Sequence, residues 1–208
     1  MKTKDKIIHT ARELFNKKGF KNVTLREVAK ELSISYGNVT YHFKTKNLLI
    51  LHLYEEMLFE TSEIIKTFDY SNLLKGILEA PKFTFKISIK YLFFYVDFVE
   101  IKRSFTEISL KLEQDNAHRK KGYLKILQQL QTQGLLRKEF TDTDLDYLMD
   151  LSGAMRTFFF INLDSKNFSD TDLETKYVIY LNSLVLPYLT EKGIKEYNSC
   201  LELLSGSK

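Results

Sequence analysis

Helix breakers are rare in this chain. It has eight glycines and two prolines among 208 residues, and it contains no Asn-Gly or Asp-Gly pair of the kind that closes a β-hairpin. Leucine, lysine and glutamate, which all favour helices, are abundant. A hydrophobic content of 44% is enough for a substantial core. The sequence therefore predicts an all-α protein with one or two domains, at roughly 100–200 residues per domain.

The composition argues against several classes of protein. A single cysteine, Cys200, excludes an internal disulfide and a four-cysteine zinc site, and the four histidines lack the paired spacing of metal ligands. The amino-terminal segment has no secretory apolar run, and no stretch reaches the ~18 apolar residues of a membrane span. Phosphate-loop, HExxH, GxSxG and CxxC motifs are absent from the sequence. We therefore expect a cytoplasmic protein that is not an enzyme, contacts no membrane and uses no metal or cofactor.

The charge is distributed unevenly along the chain. Residues 1–50 contain eleven Lys/Arg and four Asp/Glu, whereas the whole chain has 31 and 27. The first quarter is therefore strongly basic and the remainder is slightly acidic. This asymmetry favours a nucleic-acid-binding head on a body with another task, although basic patches also bind membranes and acidic partners.

The first fifty residues have the outline of a helix-turn-helix. Apolar residues at helical spacing predict a helix over 4–18, and Gly19 follows where a helix end favours glycine. Thr24 and Glu27 fit a capping box that starts a second helix, and Ser35 can cap a third. Two short helices joined by a turn of three or four residues place the second in the major groove of DNA.

The predicted recognition helix covers residues 36–43. Val39 and Phe43 fall together on a helical wheel and predict its buried side. Small and polar residues occupy the opposite side and the flanks: Gly37, Asn38, Thr40, Tyr41 and His42.

Further helices are predicted along the rest of the chain, giving nine or ten in total. The segment 83–103 is rich in aromatic and β-branched residues, so a strand pattern fits it in part. Pro81 should end the helix before it, and Pro187 should kink or end a later one. Acidic caps at Thr141–Asp144 and Asp170–Asp172 start two of the helices. The predicted ranges are 46–67, 71–79, 83–103, 105–133, 143–163, 171–189 and 194–204.

The amino-terminal pattern resembles the DNA-binding head of TetR/AcrR-type transcriptional regulators. The resemblance covers about residues 4–50 without gaps and rests on Gly19-Phe20, Thr24-Leu25, Val28-Ala29, Ile34-Ser35, Gly37, Val39, Tyr41-His42-Phe43, Lys46 and Leu49. One position departs from it: the residue before Tyr41 is commonly aromatic in the family and is Thr40 here. The operator preference at that step is therefore expected to differ from that of relatives.

The resemblance implies the organisation of the whole chain. It implies a three-helix helix-turn-helix DNA-binding domain over residues 1–46 and a helical ligand-binding and dimerisation domain over 47–208. In such regulators the second domain is divergent in sequence, dimerises through its last two long helices and holds an inducer pocket. The partners implied are double-stranded operator DNA, a second copy of the chain and a small-molecule effector.

Eleven residues are candidates for DNA contact. Asn38 can pair with adenine or help to cap its helix, and Gly37 either allows close approach to the groove or is a turn glycine. Lys46 and Thr24 stand at helix starts, where amides and charge suit a phosphate. Arg26 can reach DNA or be solvated. The full set is Thr24, Arg26, Ser35, Tyr36, Gly37, Asn38, Thr40, Tyr41, His42, Lys44 and Lys46.

Aromatic residues in the middle of the chain are either ordinary core or the wall of an apolar effector pocket. Asp97 is a possible acid for a cationic ligand in such a wall, or it faces water. The candidate pocket residues are Tyr91, Phe94, Tyr95, Phe98, Phe158 and Phe159.

The sequence thus favours a dimeric one-component regulator, a repressor, that binds a palindromic operator through helix 36–43 and is released by a ligand. Two alternatives stay open. One is a transcriptional activator, and the other is a helical ligand- or protein-binding module that does not bind specific DNA.

Overall fold

A computed structural model describes residues 1–67, 71–163 and 171–206. These residues form helices and include no β-strand, although an isolated bridge pairs Leu136 with Leu189. An all-α fold with an amino-terminal helix-turn-helix is thereby confirmed. The helices are α1 Thr3–Lys18, α2 Leu25–Glu31, α3 Tyr36–His42, α4 Lys46–Lys66, α5 Leu73–Lys90, α6 Phe93–Val96, α7 Phe98–Ser104, α8 Thr106–Thr132, α9 Asp142–Ile161, α10 Thr171–Ser183 and α11 Glu191–Gly206, with a 3₁₀ turn at Leu186–Tyr188.

Local capping starts and ends the helices of the head, as the sequence predicts. Gly19 ends α1 with a φ of 79°, a conformation that side chains with a Cβ rarely adopt. The Thr24 hydroxyl accepts from the Glu27 amide at 3.2 Å, and the Glu27 carboxylate accepts from the Thr24 amide at 2.7 Å. Ser35 accepts from the Asn38 amide at 3.2 Å. At the starts of α2 and α3, one exposed amide of the first turn therefore has a side-chain acceptor three residues before it.

The prediction that a helix ends before Pro81 is wrong. Helix α5 continues through Pro81 to Lys90. A proline inside a helix removes one backbone hydrogen bond and costs about 3 kcal/mol. Leu74, Leu78 and Phe85 are all buried along this helix, so the burial of one continuous apolar face offsets the local cost.

The prediction of a single helix over 83–103 is also wrong. The chain breaks after Lys90 and continues as α6 and α7. The Phe93 amide donates to Asn16 Oδ1 at 3.0 Å, so it is not available to a continuous helical ladder. Tertiary hydrogen bonds to α1 therefore determine where this aromatic segment changes direction.

The later helices follow the predicted pattern more closely. Helix α9 begins with a capping box in which the Thr141 amide donates to Asp144 at 2.8 Å. Those hydrogen bonds hold the pKa of the Asp144 carboxyl below its usual range. Helix α10 ends at Ser183, and Pro187 lies in the 3₁₀ turn that follows. Of the cap predicted at Asp170–Asp172, Asp170 lies outside the described residues.

Backbone contacts divide the chain into two compact units. The first unit comprises Met1–Glu63 with Ile87–Lys111, and the second comprises Ile64–Lys86 with Leu112–Lys208. Phe15 packs in the first unit against Phe20 and Phe93, with ring centroids 6.2 and 5.1 Å apart. A leucine-rich core fills part of the second unit. This division concerns packing, and a functional domain boundary after residue 46 stays a prediction.

Candidate nucleic-acid interface

Helix α3 has one buried and one exposed side. Val39 is fully buried and Phe43, just after the helix, is 4% exposed. On the other side Gly37 and Asn38 are exposed, and Tyr41 is 83% exposed. The head therefore anchors α3 by two apolar residues and leaves its polar side to solvent, in the orientation predicted from the sequence.

The turn between α2 and α3 is held by backbone geometry. Ser33 has a φ of 54°, which is unusual for a residue other than glycine. The Ile34 amide donates to the Ala29 carbonyl at 3.0 Å, so the turn closes directly on the end of α2. This link fixes the direction in which α3 leaves α2, and with it the exposed side of α3.

An open cleft of ≈ 370 Å³ lies beside α3. Five of the predicted DNA-contact residues line it together with Leu25 and Thr45, and these five are Thr24, Arg26, Tyr36, Lys44 and Lys46. The Arg26 guanidinium lies over the Tyr36 ring, 5.2 Å from its centroid. Because the cleft is lined by the exposed cationic side chains of Arg26 and Lys44, its chemistry suits an anionic group.

On the exposed side of α3, the hydroxyl of Thr40 is occupied within the helix, whereas the Tyr41 hydroxyl is not. The Thr40 hydroxyl donates to the carbonyls of Tyr36 and Gly37, at 3.2 Å in each case. The Tyr41 and His42 rings meet edge to face with centroids 5.1 Å apart. Thr40 therefore presents its methyl more readily than its hydroxyl, whereas the Tyr41 phenol extends into solvent.

Lys46 is directed into the protein in this structure. Its ammonium donates a hydrogen bond to the Phe20 carbonyl and lies 3.8 Å from the centroid of the Phe20 ring. Burial lowers the pKa of the Lys46 ammonium, and the negative charges of Glu27 and Asp97 oppose that shift. Lys44, by contrast, is exposed at the cleft.

Two residues that support the head were not identified as such from the sequence. Asp97 accepts a hydrogen bond from the Phe20 amide at 2.6 Å, rather than standing as a lone acid in an aromatic wall. The Asn16 amide group donates to the Lys90 carbonyl at 3.0 Å and accepts from Phe93. Partners that lie more than seventy residues apart leave no short-range sequence signal.

The residues predicted to bind an effector fall into two sets. Tyr91, Phe94, Tyr95 and Phe98 belong to the first unit, and Phe158 and Phe159 belong to the second. Tyr91 is fully buried and donates to Glu60 at 2.9 Å, while the Tyr95 hydroxyl accepts from Ser88 at 3.0 Å. Effector binding by either set stays a prediction.

Phe158 and Phe159 face different surroundings in the second unit. Phe159 packs against Phe85 and Tyr177, with centroids 6.4 and 5.2 Å apart. Phe158 is 71% exposed on α9. The structure therefore separates Phe158 from the aromatic cluster that contains its neighbour.

Two general features of the described part of the chain bear on its chemistry. Among its residues, no group of three or more His, Cys, Asp or Glu side chains is placed to hold a metal ion. No helix in the same ranges is long and apolar enough to cross a membrane.

Two family profiles together cover most of the chain. Residues 7–53 match the profile described as bacterial regulatory proteins of the tetR family, and residues 54–197 match the TetR profile described as a bacterial transcriptional repressor. The first match contains α2, α3 and every residue proposed above for DNA contact. The second covers well over half of the chain.

Individual relatives are similar mainly over the head. The probable HTH-type transcriptional regulator YttP of Bacillus subtilis is 42% identical over 65 residues, which are 31% of each chain. The HTH-type regulator QacR of Staphylococcus aureus is 47% identical over 26% of this chain and 28% of its own. The negative regulator of the S. aureus biofilm operon icaADBC, IcaR, is 28% identical over 52% of this chain and 53% of its own. This chain therefore spans only 28 to 53% of the length of these relatives.

Solved structures extend the likeness in fold to nearly the whole chain. A TetR-family regulator from Marinobacter aquaeolei has a TM-score of 0.80 at 24% identity, covering 97% of this chain and 98% of that one. The ketosteroid transcriptional regulator KstR2 of Mycobacterium tuberculosis has a TM-score of 0.65 at 16% identity, covering 91% and 96%.

Proposed function

Because the chain belongs to the TetR family of bacterial transcriptional regulators, we propose that it is a cytoplasmic, dimeric one-component repressor that binds a palindromic operator. Residues 36–43, which are α3 and the Phe43 that follows it, enter the major groove in each half-site. The observation that carries the proposal is the exposed polar side of α3 beside a basic cleft. A two-fold dimer requires two half-sites related by the same symmetry.

The proposed contacts divide into base readout and phosphate contact. Asn38 can pair with adenine, and Gly37 beside it lets the helix approach the bases. Thr40 presents a methyl to a thymine methyl. Phosphate contacts fix register, and we assign them to residues at the cleft and at the ends of α3: Thr24, Arg26, Ser35, Tyr36, Tyr41, His42 and Lys44.

Dimerisation is proposed through the exposed side of α9 and the neighbouring α10. Tyr147, Phe158 and Ile161 are spaced along one stripe of α9, and all three are more than half exposed. Ile179 on α10 is 54% exposed. Several large apolar side chains exposed together on two neighbouring helices are typical of a surface covered by a partner, and a second copy is the partner that operator symmetry requires.

Repression and effector release complete the proposal. The match to a repressor profile and the likeness to IcaR, whose name describes negative regulation, support a repressor. The aromatic cluster of Phe85, Phe159, Phe160 and Tyr177, with Arg156 bonded to the Tyr177 hydroxyl at 2.6 Å, combines apolar and polar groups as effector sites do. An effector that prefers one arrangement of the dimer shifts the heads towards or away from the operator spacing.

The deciding experiment is selection of genomic DNA fragments on the purified protein, followed by gel shifts with the selected duplex. Wild type should bind this duplex far more tightly than a scrambled one. Asn38→Ala should lower that preference, whereas Lys44→Ala should weaken binding to both duplexes alike and reduce its salt dependence. Equal binding to every duplex by wild type would refute specific recognition, and equal loss with Asn38→Ala would refute base readout by Asn38.

A further inference from the structure

The backbone of Phe20 is held on both sides of its Cα by side chains of opposite charge. Its amide donates to the Asp97 carboxylate at 2.6 Å, and its carbonyl accepts from the Lys46 ammonium. The Phe20 ring is 4% exposed and lies under the same ammonium. Charge-assisted hydrogen bonds of this kind are about twice as strong as neutral ones.

These two bonds join three parts of the first unit. Phe20 lies in the link between α1 and α2, four residues before the Thr24 cap. Lys46 is the first residue of α4, and Asp97 lies between α6 and α7. The Lys21 ammonium adds a 3.1 Å ion pair to Glu100 on α7. The link before α2 is therefore attached both to the start of α4 and to the segment that follows α6.

The local backbone is compatible with this attachment. The two Asp97 carboxylate oxygens lie 3.7 and 3.9 Å from the point where a Cβ on Gly19 would stand. Gly19 has a φ of 79°, which turns the chain so that the Phe20 amide faces the carboxylate. The packing of Phe20 against Phe105, at 5.3 Å between centroids, holds the residue from the side of α7.

The position of Lys46 argues against a DNA phosphate as its partner. An ammonium that donates to a buried carbonyl and lies over an aromatic ring has lost part of its hydration. Moving it to a phosphate would leave the Phe20 carbonyl without this donor. Lys44, two residues earlier, is exposed and needs no such rearrangement.

We propose that Lys46 and Asp97 are positioning residues that together hold the carbonyl and the amide of Phe20, an arrangement called the clamp below. The clamp sets the orientation of α2 and α3 relative to residues 93–105. Lys46 then supports DNA binding without contacting a phosphate. The inference rests on the proposed function for its effect on DNA, while the clamp itself is a property of the protein alone.

The clamp is tested first without DNA, by hydrogen exchange of the Phe20 amide. The amide should be protected in wild type and should exchange about tenfold faster or more in Asp97→Ala, because a bond to a charged acceptor is lost. Asp97→Asn keeps an oxygen acceptor without the charge and should give a smaller increase. Rapid exchange of this amide in wild type would overturn the clamp.

DNA binding then separates positioning from phosphate contact. Lys46→Met and Lys44→Met make the same chemical change two residues apart. Affinity for a selected genomic duplex is measured from about 50 to about 200 mM salt, where each lost phosphate contact reduces the logarithmic slope by about 0.9. Lys44→Met should reduce the slope by this amount. Lys46→Met should weaken binding about tenfold with an unchanged slope.

Substitution of Asp97 gives a test in which electrostatics and positioning predict opposite changes in the affinity for DNA. Removing an acidic side chain should by charge alone strengthen DNA binding. The clamp predicts that Asp97→Ala weakens it about tenfold, and that the double variant with Lys46→Met is little worse than either single variant. Glu107→Gln, which removes an exposed acid of the first unit that takes no part in the clamp, should not weaken binding.

The outcomes are distinguishable. A reduced slope for Lys46→Met, or unchanged or tighter binding by folded Asp97→Ala, would overturn the proposal. Circular dichroism establishes that each variant is folded, and Asp97→Asn replaces Asp97→Ala if the latter is not. Failure of wild type to bind any duplex would refute the proposed function by itself, and the exchange measurement would still decide whether the clamp exists.

Discussion

The guanidinium of Arg26 lies over the ring of Tyr36 at 5.2 Å from the centroid, so a residue of α2 and the first residue of α3 meet at the mouth of the cleft. A planar guanidinium can stack and still donate hydrogen bonds at its edge. Stacking on Tyr36 can therefore hold the Arg26 guanidinium in place while its N–H groups donate to a phosphate.

We expect Arg26→Lys to weaken binding to all duplexes even though the charge is kept, because an ammonium does not stack in the same way. Loss of the cation–π contact and of the paired N–H donors of the guanidinium should reduce the free energy of DNA binding by about 1 kcal/mol. Tyr36→Phe keeps the ring and removes only the hydroxyl, so it separates the stacking from the proposed phosphate contact of Tyr36. Gel-shift titrations with a selected and a scrambled duplex measure the affinity of each variant. An Arg26→Lys protein that binds as wild type does would show that stacking is unimportant.

Thr40 should read DNA through its methyl group, because its hydroxyl already donates to two carbonyls of the same helix. Thr40→Val keeps a methyl at this place and should preserve the sequence preference. Thr40→Ser keeps the hydroxyl and removes the methyl, so it should lose about 1 kcal/mol of discrimination at one base-pair step. Binding to a set of duplexes with single base-pair changes measures the preference. The opposite ranking of the two variants would assign the readout to the hydroxyl.

Much of the head and the start of α9 could be predicted from the sequence because their determinants are local. The Thr24 and Thr141 capping boxes each involve residues three apart, and the buried side of α3 follows from the spacing of Val39 and Phe43. Gly19 at the end of α1 is predictable for the same reason. Interactions within one helical turn leave a readable pattern.

The errors arose where distant contacts decide the structure. Helix α5 passes through Pro81 because its buried leucines lie on one face. The helix propensities of single residues do not include the free energy gained from such burial. The break after Lys90 depends on Asn16, and the role of Asp97 depends on Phe20. No spacing rule connects residues that lie about seventy-five positions apart.

The stability of the protein should fall at alkaline pH through Tyr91. The pKa of the Tyr91 phenol is raised above its usual range. Full burial is the main cause, and the hydrogen bond to Glu60 is the second. Because the folded state holds this proton more tightly, the stabilisation is complete below the unfolded pKa of about 10 and is lost as pH rises above it.

Above about pH 10 this single group should reduce the free energy of unfolding by up to about 1.4 kcal/mol per pH unit. Tyr91→Phe should lack this part of the pH dependence. Urea unfolding at neutral and alkaline pH measures it, and Tyr123→Phe is the control for loss of a hydroxyl at an exposed position. Parallel pH profiles for wild type and Tyr91→Phe would contradict the assignment.

Phe158 should be needed for dimerisation and not for the fold of one chain, since it is 71% exposed on α9. Phe158→Glu places a charge twice in a two-fold interface and should convert the dimer to monomers without loss of helicity. Phe59→Glu is the matched control, because Phe59 is 64% exposed on α4 in the first unit. Sedimentation equilibrium measures the association. A Phe158→Glu protein that remains dimeric would remove α9 from the interface.

Two glycines in helices should respond to alanine with opposite signs. A Cβ on Gly193 of α11 would stand 2.0 Å from the Leu135 carbonyl oxygen, so the backbones must separate to admit it. Overpacking of this kind costs about 1–3 kcal/mol. Gly122 in the interior of α8 is exposed and has no atom within 4 Å of such a Cβ. Gly122→Ala should therefore stabilise the protein by up to about 1 kcal/mol, because alanine favours the helix.

Urea unfolding followed by circular dichroism measures both changes on the same scale. Because Leu135 also accepts from the Thr190 amide at 3.0 Å, Gly193→Ala should disturb the start of α11 as well as its packing. The prediction depends on close backbone approach at Gly193 and open space at Gly122. Equal stability of the two variants would mean that α11 does not pack on the Leu135 carbonyl as closely as this structure places it.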